Sequence, residues 1–530
     1  MIIDTKHIAP TNNESPSSYA DRLGALYTST VSQKFKKDNG QFFTPVKIAQ
    51  FMGGLASTNK TQIDILDPGC GTGILTCALV ENIVKQNPQI KEINLVAYET
   101  DINLISLSEK SLSYLKEWLT TYGVLFKYIV CVHDFIIDNY TRFNTCSIAF
   151  PADNKQNFDF IISNPPYFKL SKNDERVKAA KIIINGQPNI YSIFLALSTQ
   201  LLKADGQMIF IVPRSFTSGR YFNLFRDYFF KEIQLNYIHL FDSRKDTFSR
   251  DNVLQETLIL RASKKKESKK EPQITISTCS GLQDIWQPKQ KAYLQKDLID
   301  LKSKEKIIHL PTSTKDEAII ELFKSWTGTL NKYNIQISTG PVVAYRTKDY
   351  IKETYENGIL SLTPLYWLHN VAKMKITFPS SRPNKGQYIQ ICDQTMPYLI
   401  PNKNYIFLRR FSSKDDKSRL IAAPNFSVPD SPRLIGVENK LNYIYRPNGH
   451  LDRTEIMGFA ALLNSNLFDT YFRTFNGNVN VSATELRAMP LPPLDTIKKI
   501  GEKLILRNNF SLENVSKVID DFFELNGKTT

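Results

Sequence analysis

The sequence predicts an α/β fold with a Rossmann-like, mostly parallel sheet that ends in an antiparallel hairpin. Between residues 64 and 262, short apolar runs alternate with amphipathic segments, which is the pattern of a parallel sheet with crossover helices. A glycine-rich turn, 69–73, separates the first run from the first helical segment. The last two runs follow each other without a helix long enough to cross over, so we expect them to pair antiparallel.

The individual elements follow from the same pattern. Strands are predicted where apolar residues form short runs, at 63–66, 94–99, 128–133, 158–163, 207–213, 236–241 and 256–262. Helices are predicted where apolar residues recur at helical spacing, at 74–85, 101–122, 190–202 and 221–231. Together they predict a doubly wound sheet.

Length and charge pattern indicate a second domain. With 530 residues, the chain exceeds the roughly 250 to 300 residues at which a single core usually stops growing. The run KKKESKKEP that begins at Lys264 is too charged to pack and indicates a boundary. We therefore expect an N-terminal helical segment over 1–40, the α/β domain over 41–263 and a mixed α+β domain over 264–530. Within the last of these, short strands are predicted around 337–346 and 389–392, and helices at 455–475 and 512–525.

Composition excludes some classes of protein and favours others. A hydrophobic content of 42% and a charged content of 22% argue against a disordered or collagen-like chain. The N-terminal residues lack the layout of a secretory signal, and no stretch approaches the roughly 18 apolar residues that span a bilayer, so we expect a soluble cytoplasmic protein. Six cysteines without a CxxC pair predict neither a disulfide framework nor a metal site. The formal net charge of +15 suits a polyanionic partner, either nucleic acid or an acidic membrane surface.

The first candidate site is the turn Asp67-Pro68-Gly69-Cys70-Gly71-Thr72-Gly73, which lies directly after a predicted strand. Its glycines permit positive φ angles and a close approach of the backbone to a ligand at the carboxyl end of the strand. The turn is not a good GxGxxG match, and no Walker lysine follows it. Its GxGxG spacing after an acidic strand end is that of the cofactor turn in the S-adenosylmethionine-dependent methyltransferases. The alternatives are a site for a dinucleotide pyrophosphate and a tight structural turn.

Acidic residues at the ends of the next two strands are candidate ligand contacts. Glu99 follows the glycines at about the spacing, ~20 residues, at which a carboxylate accepts hydrogen bonds from ribose hydroxyls. Asp134 can accept from the amine of an adenine, with Phe135 on the face of the ring. A surface residue or helix cap is the alternative for Glu99, and a strand-end turn is the alternative for Asp134 and Phe135. Asp101 is interpreted as the cap of the following helix.

The motif that predicts chemistry is Asn164-Pro165-Pro166-Tyr167, at the end of the fourth predicted strand. Each proline removes a backbone donor and favours an extended predecessor, so the motif continues neither a helix nor a sheet, and a bare turn is one explanation. The other is that the stiff unit holds the Asn164 side-chain oxygen and the Pro165 carbonyl as two acceptors for one planar NH2 group. Accepting both hydrogens withdraws the nitrogen lone pair from conjugation and makes the amine nucleophilic. Tyr167 can then stack on the ring that carries the amine.

These motifs resemble those of the DNA amino-methyltransferases, and their order resembles the gamma class of adenine-N6 methyltransferases, which includes bacterial restriction-modification methylases. The resemblance implies a class I methyltransferase fold with a C-terminal target recognition domain, an adenine-specific DNA methyltransferase activity, S-adenosylmethionine as cofactor and double-stranded DNA as partner. It also implies a role in protecting host DNA within a restriction-modification system, with a cognate restriction endonuclease as the candidate partner; whether that endonuclease exists stays open at this point.

The resemblance assigns roles to matching residues. The segment Gly40-Gln41-Phe42-Phe43-Thr44-Pro45 looks like the first cofactor-contacting segment of the family. Thr44 and Asp67 would lie near the amino acid part of the cofactor, Glu99 at the ribose, and Asp134 with Phe135 at the adenine.

The resemblance also implies that the target adenine is rotated out of the duplex. An aromatic residue between the last two predicted strands would stack on the second face of the base, and Phe248 is the candidate; a hydrophobic plug under the hairpin is the alternative. In the C-terminal half, 337–343 and 480–486 look similar to stretches of bacterial modification methylases. Candidate DNA contacts, for which solvated surface charge is the alternative, are Arg346, Arg382, Arg409, Arg410 and the run 264–270.

Other activities stay open at this point. Protein glutamine methyltransferases also carry the NPPY motif, but the +15 charge and the extra half-chain favour DNA. Cytosine-N4 enzymes use a related motif, usually with Ser in the place of Asn164, and an RNA adenine presents the same planar amine. A non-catalytic DNA-binding subunit with a relict cofactor fold is the alternative outside the enzymes.

Overall fold

The structure, a computed structural model, divides the chain into two compact units, Met1–Thr312 and Ser313–Thr530. The residues that it describes are 8–38, 40–144, 157–184, 186, 188–241, 256–267, 270–353, 361–380, 385–412, 416–427 and 431–523. Within these ranges, no helix is long and apolar enough to cross a membrane.

The first unit contains helices and strands in the alternation that the sequence predicts. Its helices are α1 (Pro16–Thr30), α2 (Gln33–Asp38), α3 (Val46–Gly54), α4 (Ile74–Gln86), α5 (Ile102–Thr120), α6 (Phe135–Asn139), α7 (Glu175–Ala179), α8 (Ile190–Leu201), α9 (Asn223–Glu232) and α10 (Gln295–Leu298). Its strands are β1 (Gln62–Pro68), β2 (Glu92–Tyr98), β3 (Leu125–Cys131), β4 (Phe158–Ser163), β5 (Leu202–Pro213), β6 (Ile233–Phe241), β7 (Thr257–Lys264), β8 (Gln273–Cys279) and β9 (Lys289–Leu294).

These strands form one sheet in the order β3-β2-β1-β4-β5-β7-β6-β8-β9. Strands β1 to β5 pair in parallel, and β7 lies antiparallel between β5 and β6. Helices cover both faces: α3, α4 and α5 share one apolar core with the sheet, and α8 and α9 share the other. The predicted α/β class with a mostly parallel sheet is confirmed.

The sheet does not end in the hairpin, which corrects the expected boundary at 263/264. Strand β8 pairs in parallel with β6, and β9 pairs antiparallel with β8, so the first unit extends to Thr312. Ile274 and Ile276 are buried in the core beside β6. The charged run that begins at Lys264 therefore connects two strands of the same sheet. Its charge concealed strand β8, in which the buried Ile274 and Ile276 alternate with polar residues, a pattern that is weak over so few positions.

The expected N-terminal helical segment is part of the first unit. The main-chain N–H of Ser17 donates to Glu81 of α4 at 2.6 Å, and the Tyr27 hydroxyl donates to Asp101 at 2.6 Å. Asp101 also caps α5, as expected, because its side chain accepts from the Asn103 N–H at 2.9 Å. Helix α1 thus lies against α4 and α5.

The second unit has the expected mixed α+β composition. Its helices are α11 (Thr314–Lys324), α12 (Arg453–Asn464), α13 (Asn466–Phe475), α14 (Ala483–Ala488), α15 (Leu494–Arg507) and α16 (Leu512–Phe523). Its strands are β10 (Gln336–Thr339), β11 (Ile351–Lys352), β12 (Leu362–Tyr366), β13 (Val371–Ala372), β14 (Lys375–Ile376), β15 (Tyr388–Gln390), β16 (Leu399–Pro401), β17 (Tyr405–Arg409), β18 (Ala422–Asn425), β19 (Leu434–Val437) and β20 (Leu441–Tyr445).

Three sheets organise these strands, in the orders β10-β20-β17-β18, β11-β15-β12-β19-β16 and β13-β14. The helical pattern predicted for 455–475 is interrupted at Ser465. This residue has extended backbone angles, and its hydroxyl accepts from the Phe468 N–H, so it ends α12 and caps α13.

Candidate active site

A pocket of about 400 Å³ lies at the carboxyl ends of β1, β2 and β4. This is the edge at which parallel α/β sheets bind ligands. Eight residues that the sequence singles out line the pocket, namely Thr44, Gly69, Gly71, Glu99, Asp134, Phe135, Asn164 and Pro166. The structure therefore brings together motifs that are widely separated along the chain.

The glycine turn after β1 has the predicted backbone conformation. Gly69, Gly71 and Gly73 have φ angles of 83°, 58° and 78°, in the left-handed region that glycine adopts without a steric cost. The N–H groups of Gly69 and Cys70 donate to the Tyr98 carbonyl at 3.0 and 2.8 Å. The turn is thus fixed to the end of β2.

The carboxylate of Glu99 is held by three backbone donors. One oxygen accepts from the Gly71 N–H at 3.0 Å, and the other accepts from the Thr100 and Asp101 N–H groups at 2.8 and 2.9 Å. Burial raises the pKa of Glu99, and the three donors oppose that shift. The expected strand-end acid therefore has a fixed orientation against the glycine turn.

Asp67 lies behind the turn instead of lining the pocket. Its side chain is fully buried, and one carboxyl oxygen accepts from the Thr76 hydroxyl at 2.7 Å. The other oxygen, Oδ1, has no hydrogen-bond partner among the residues that the structure describes. Burial raises the pKa of Asp67 to about 7. An unpaired buried carboxyl oxygen is costly, and it suits a ligand that brings a donor or a positive charge.

Asp134 caps a helix with one carboxyl oxygen and also lines the pocket. One oxygen caps α6 by accepting from the Ile136 and Ile137 N–H groups at 2.8 and 3.1 Å, which is the turn interpretation. The other oxygen lies 3.5 Å from the Arg176 guanidinium, and the residue lines the pocket. The Phe135 ring is buried, with its centroid 5.0 Å from that of Phe194.

The Asn164 side chain is held in one orientation. Its Nδ2 donates to the Phe42 carbonyl at 2.8 Å and to the Thr44 hydroxyl oxygen at 3.0 Å. Because a carbonyl oxygen only accepts, the amide nitrogen must face Phe42. Oδ1 then lies on the other side of the amide and accepts from the Tyr167 hydroxyl at 2.5 Å.

Tyr167 packs in an apolar core of the first unit, whereas Asn164 lines the pocket. Its ring is 6% exposed and stacks on Phe42 with 5.8 Å between centroids. Its hydroxyl also lies 2.7 Å from the Ile211 carbonyl, and burial raises the phenol pKa, so the hydroxyl stays a donor. Pro165 is buried as well. The next aromatic residue, Phe168, lines the pocket instead.

Sequence reasoning missed several lining residues. Phe194 belongs to a predicted helix, but helical spacing does not separate a pocket-facing ring from a core ring. Arg176 lies in α7, a short helix without a predictive pattern, and donates twice to Asp174 at 2.9 and 2.7 Å. Phe248, the expected second stacking residue, and Arg382 lie outside the described residues.

The chain is similar to a methylase family over part of its length and to two type II methyltransferases over most of it. The Eco57I restriction-modification methylase family matches residues 82–248. The type II methyltransferase M.BsuBI of Bacillus subtilis is 32% identical over 491 residues, which cover 92% of this chain and 93% of that protein. The type II methyltransferase M.PstI of Providencia stuartii is 29% identical over 514 residues, with 95% and 97% coverage. A solved structure of a DrdV–DNA complex aligns with 92% of this chain and 59% of that chain, at a TM-score of 0.49 and 15% identity.

The raised pKa of Asp67 predicts a pH-dependent stability. Between its ordinary value of 3.8 and about 7, the folded protein binds a proton at Asp67 that the unfolded chain has lost. The contribution of Asp67 is therefore complete at low pH and is lost as the pH rises toward 7, with a slope of at most about 1.4 kcal/mol per pH unit.

Urea unfolding of the wild type and of Asp67→Asn at pH 5, 6, 7 and 8 measures this contribution. The difference in the free energy of unfolding, wild type minus variant, should fall between pH 5 and 7 and level off above. A difference that stays constant over this range would contradict the raised pKa.

Proposed function

Since the chain belongs to the type II methyltransferases of restriction-modification systems, we propose that it transfers a methyl group from S-adenosylmethionine to the N6 amine of an adenine in double-stranded DNA. In the cell, this modification would protect host DNA from a cognate restriction endonuclease. The observation that carries the proposal is the fixed orientation of Asn164 at the edge of the pocket.

The residues present fit S-adenosylmethionine. Backbone N–H groups fix Glu99 as an acceptor suited to a ribose diol. Asp134 and Phe135 line the same pocket and suit an adenine. The unpaired Asp67 Oδ1 suits a cationic amino group, directly or through water. The cofactor would supply an electrophilic methyl group on a sulfonium, and the glycines of the turn allow its close approach.

Asn164 would act on the target amine. Its Oδ1 and the Pro165 carbonyl would accept the two hydrogens of the NH2 group, which concentrates the lone pair on nitrogen. In this structure Oδ1 accepts from the Tyr167 hydroxyl, and an amide oxygen has a second lone pair for the amine. The methylated amine is acidic and can lose its proton to solvent, so no strong base is required of the chain. Catalysis would then rest on positioning and fixed dipoles.

A flipped base would be held by aromatic rings. Extrusion costs a few kcal/mol, and stacking returns about 1 to 3 kcal/mol per base. Tyr167 is the stacking residue that the family motif implies, but its ring would first have to leave Phe42. The Phe168 ring already borders the pocket, with the Arg176 guanidinium 5.7 Å from its centroid. Phe248 remains a candidate for the second face of the base.

Asn164→Ala should abolish methyl transfer because it removes one of the two acceptors. The assay supplies radiolabelled S-adenosylmethionine and unmethylated genomic DNA, and the labelled nucleoside is identified after digestion. N6-methyladenine is expected from the wild type and no product from the variant, while cofactor binding, measured by calorimetry, stays near the wild-type value.

Each part of the proposal has its own contrary result. N4-methylcytosine from the wild type would exclude adenine as the target, and an unlabelled product pool would exclude DNA methylation. Turnover of Asn164→Ala near the wild-type rate would remove Asn164 from the chemistry.

Thr44 has two candidate roles, as a cofactor contact and as an acceptor that orients Asn164. We favour the second because its hydroxyl oxygen lies 3.0 Å from the Asn164 Nδ2. Thr44→Val leaves one amide hydrogen without a partner in a partly buried site, which costs on the order of 1 to 3 kcal/mol. We expect kcat to fall roughly tenfold, which corresponds to ~1.4 kcal/mol, with KM for the cofactor unchanged.

Thr44→Ser is the matched control. It keeps the hydroxyl acceptor, so its kcat should stay near the wild-type value. A raised cofactor KM with an unchanged kcat in Thr44→Val would instead assign Thr44 to the cofactor.

A further inference from the structure

One end of the four-stranded sheet in the second unit collects cations and exposed rings. Strand β20 runs antiparallel to β10 and to β17, so the chain after β10 and after β17 meets the chain that enters β20. The Arg410 N–H donates to the Lys440 carbonyl at 2.9 Å, and the Asn439 N–H donates to the Val342 carbonyl at 2.9 Å. The Arg346 N–H donates to the Val343 carbonyl one residue further on, at 2.9 Å. The first two bonds join the backbones of the three segments at this end of the sheet, and the third is a turn within the first segment.

We call the side chains of Tyr345, Arg346, Arg410, Phe411 and Lys440 the strand-end surface. Its two rings stand in solvent, with Tyr345 75% and Phe411 39% exposed. The guanidinium carbon of Arg346 lies 5.4 Å from the centroid of the Tyr345 ring, and that of Arg410 lies 5.6 Å from the centroid of the Phe411 ring. Tyr, Phe and Arg side chains are enriched at binding interfaces, so exposed rings beside arginines favour a surface that a partner covers.

The charge of this surface is positive. The side chains of Arg346 and Lys440 are exposed, and Arg410 is half-buried with one guanidinium N–H on the Asn439 carbonyl at 3.0 Å. The carboxyl group that Lys440 and Arg410 approach belongs to Glu438, which is only 2% exposed. Desolvation raises the pKa of Glu438. Arg346 and Lys440 are therefore the cations of this surface that face solvent most fully.

The two kinds of cation suit two kinds of DNA contact. The Arg346 guanidinium is held in place because its Nε donates to the Tyr345 hydroxyl at 2.9 Å. A held, planar guanidinium can donate two parallel hydrogen bonds to the O6 and N7 atoms of a guanine. Lys440 is a flexible point charge, which suits a phosphate and carries no sequence information.

We propose that the strand-end surface contacts the DNA duplex, with Arg346 reading a base edge and Lys440 binding a phosphate. This proposal rests on the proposed DNA methyltransferase function. It assigns DNA contact to one surface of the second unit, formed by three chain segments that lie between residues 342 and 440 of the sequence.

Arg346→Lys tests base reading because it keeps the charge and removes the planar fork. The full-length wild type and variant are incubated with genomic DNA amplified in vitro, and methylated sites are mapped by modification-sensitive sequencing. Discrimination between the wild-type site and sequences that differ at one base pair should fall roughly 5- to 150-fold in the variant.

Arg507→Lys is the matched control, because it makes the same change at an arginine that is also exposed and also donates to another side chain, that of Asn514, at the end of α15. It should leave the mapped site unchanged. A mapped site and rate of Arg346→Lys equal to the wild type would overturn the assignment of Arg346. A wild type that methylates nothing would instead contradict the proposed function, so the two failures are distinguishable.

Lys440→Ala tests the phosphate contact. DNA binding, measured by fluorescence anisotropy with a labelled duplex that carries the mapped site, should weaken equally for that site and for a scrambled duplex. The slope of log K against log salt concentration should fall by about 1. Lys517→Ala, on an exposed position of α16, is the control and should keep the wild-type slope. A wild-type slope in Lys440→Ala would overturn the contact.

Discussion

The parallel register of β1 against β2 and β4 is the constraint on which the candidate site depends. Pro68 lies opposite Tyr98, and Leu66 lies opposite Ile161, so the three strands end together. Every residue of β4 is buried, and a shift of one position would exchange the residues that face the two cores. The apolar packing of the sheet therefore fixes where the glycine turn, Glu99 and the NPPY motif meet.

A second requirement is the segment that precedes α3, because it completes the site from outside the sheet. Gly40 has a φ angle of 63°, and a Cβ there would lie 2.8 Å from the Tyr167 backbone nitrogen. Only glycine lets this segment approach the NPPY motif so closely. The approach brings the Phe42 carbonyl to the Asn164 amide, across 122 positions of sequence. The orientation of Asn164 is thus a product of the whole unit and not of the motif alone.

The sequence alone predicted the parts of this arrangement that rest on local signals. Strand ends, the glycine turn and the Asp101 cap follow from short patterns with a direct physical cause. The hydrogen bonds of Asn164 and the place of Arg176 could not be predicted, because they depend on which distant segments come together. Strand β8 was missed for a different reason: the charged run next to it gave a stronger signal than its buried isoleucines.

Acidic groups are concentrated at the pocket, although the chain has a positive net charge. The pocket in the first unit is lined or underlain by Asp67, Glu99, Asp101 and Asp134, although the chain as a whole carries +15. Burial raises the pKa of Asp67 and of Glu99. A positively charged ligand would stabilise the ionised form of each carboxyl group, and this interaction would favour its binding. The proposed cofactor is cationic and the proposed substrate is polyanionic, so the two would make opposite electrostatic demands on one protein. Separate sites would meet both demands, since the acidic groups of the pocket would attract the first, and exposed cations of the second unit, such as Arg346 and Lys440, would attract the second.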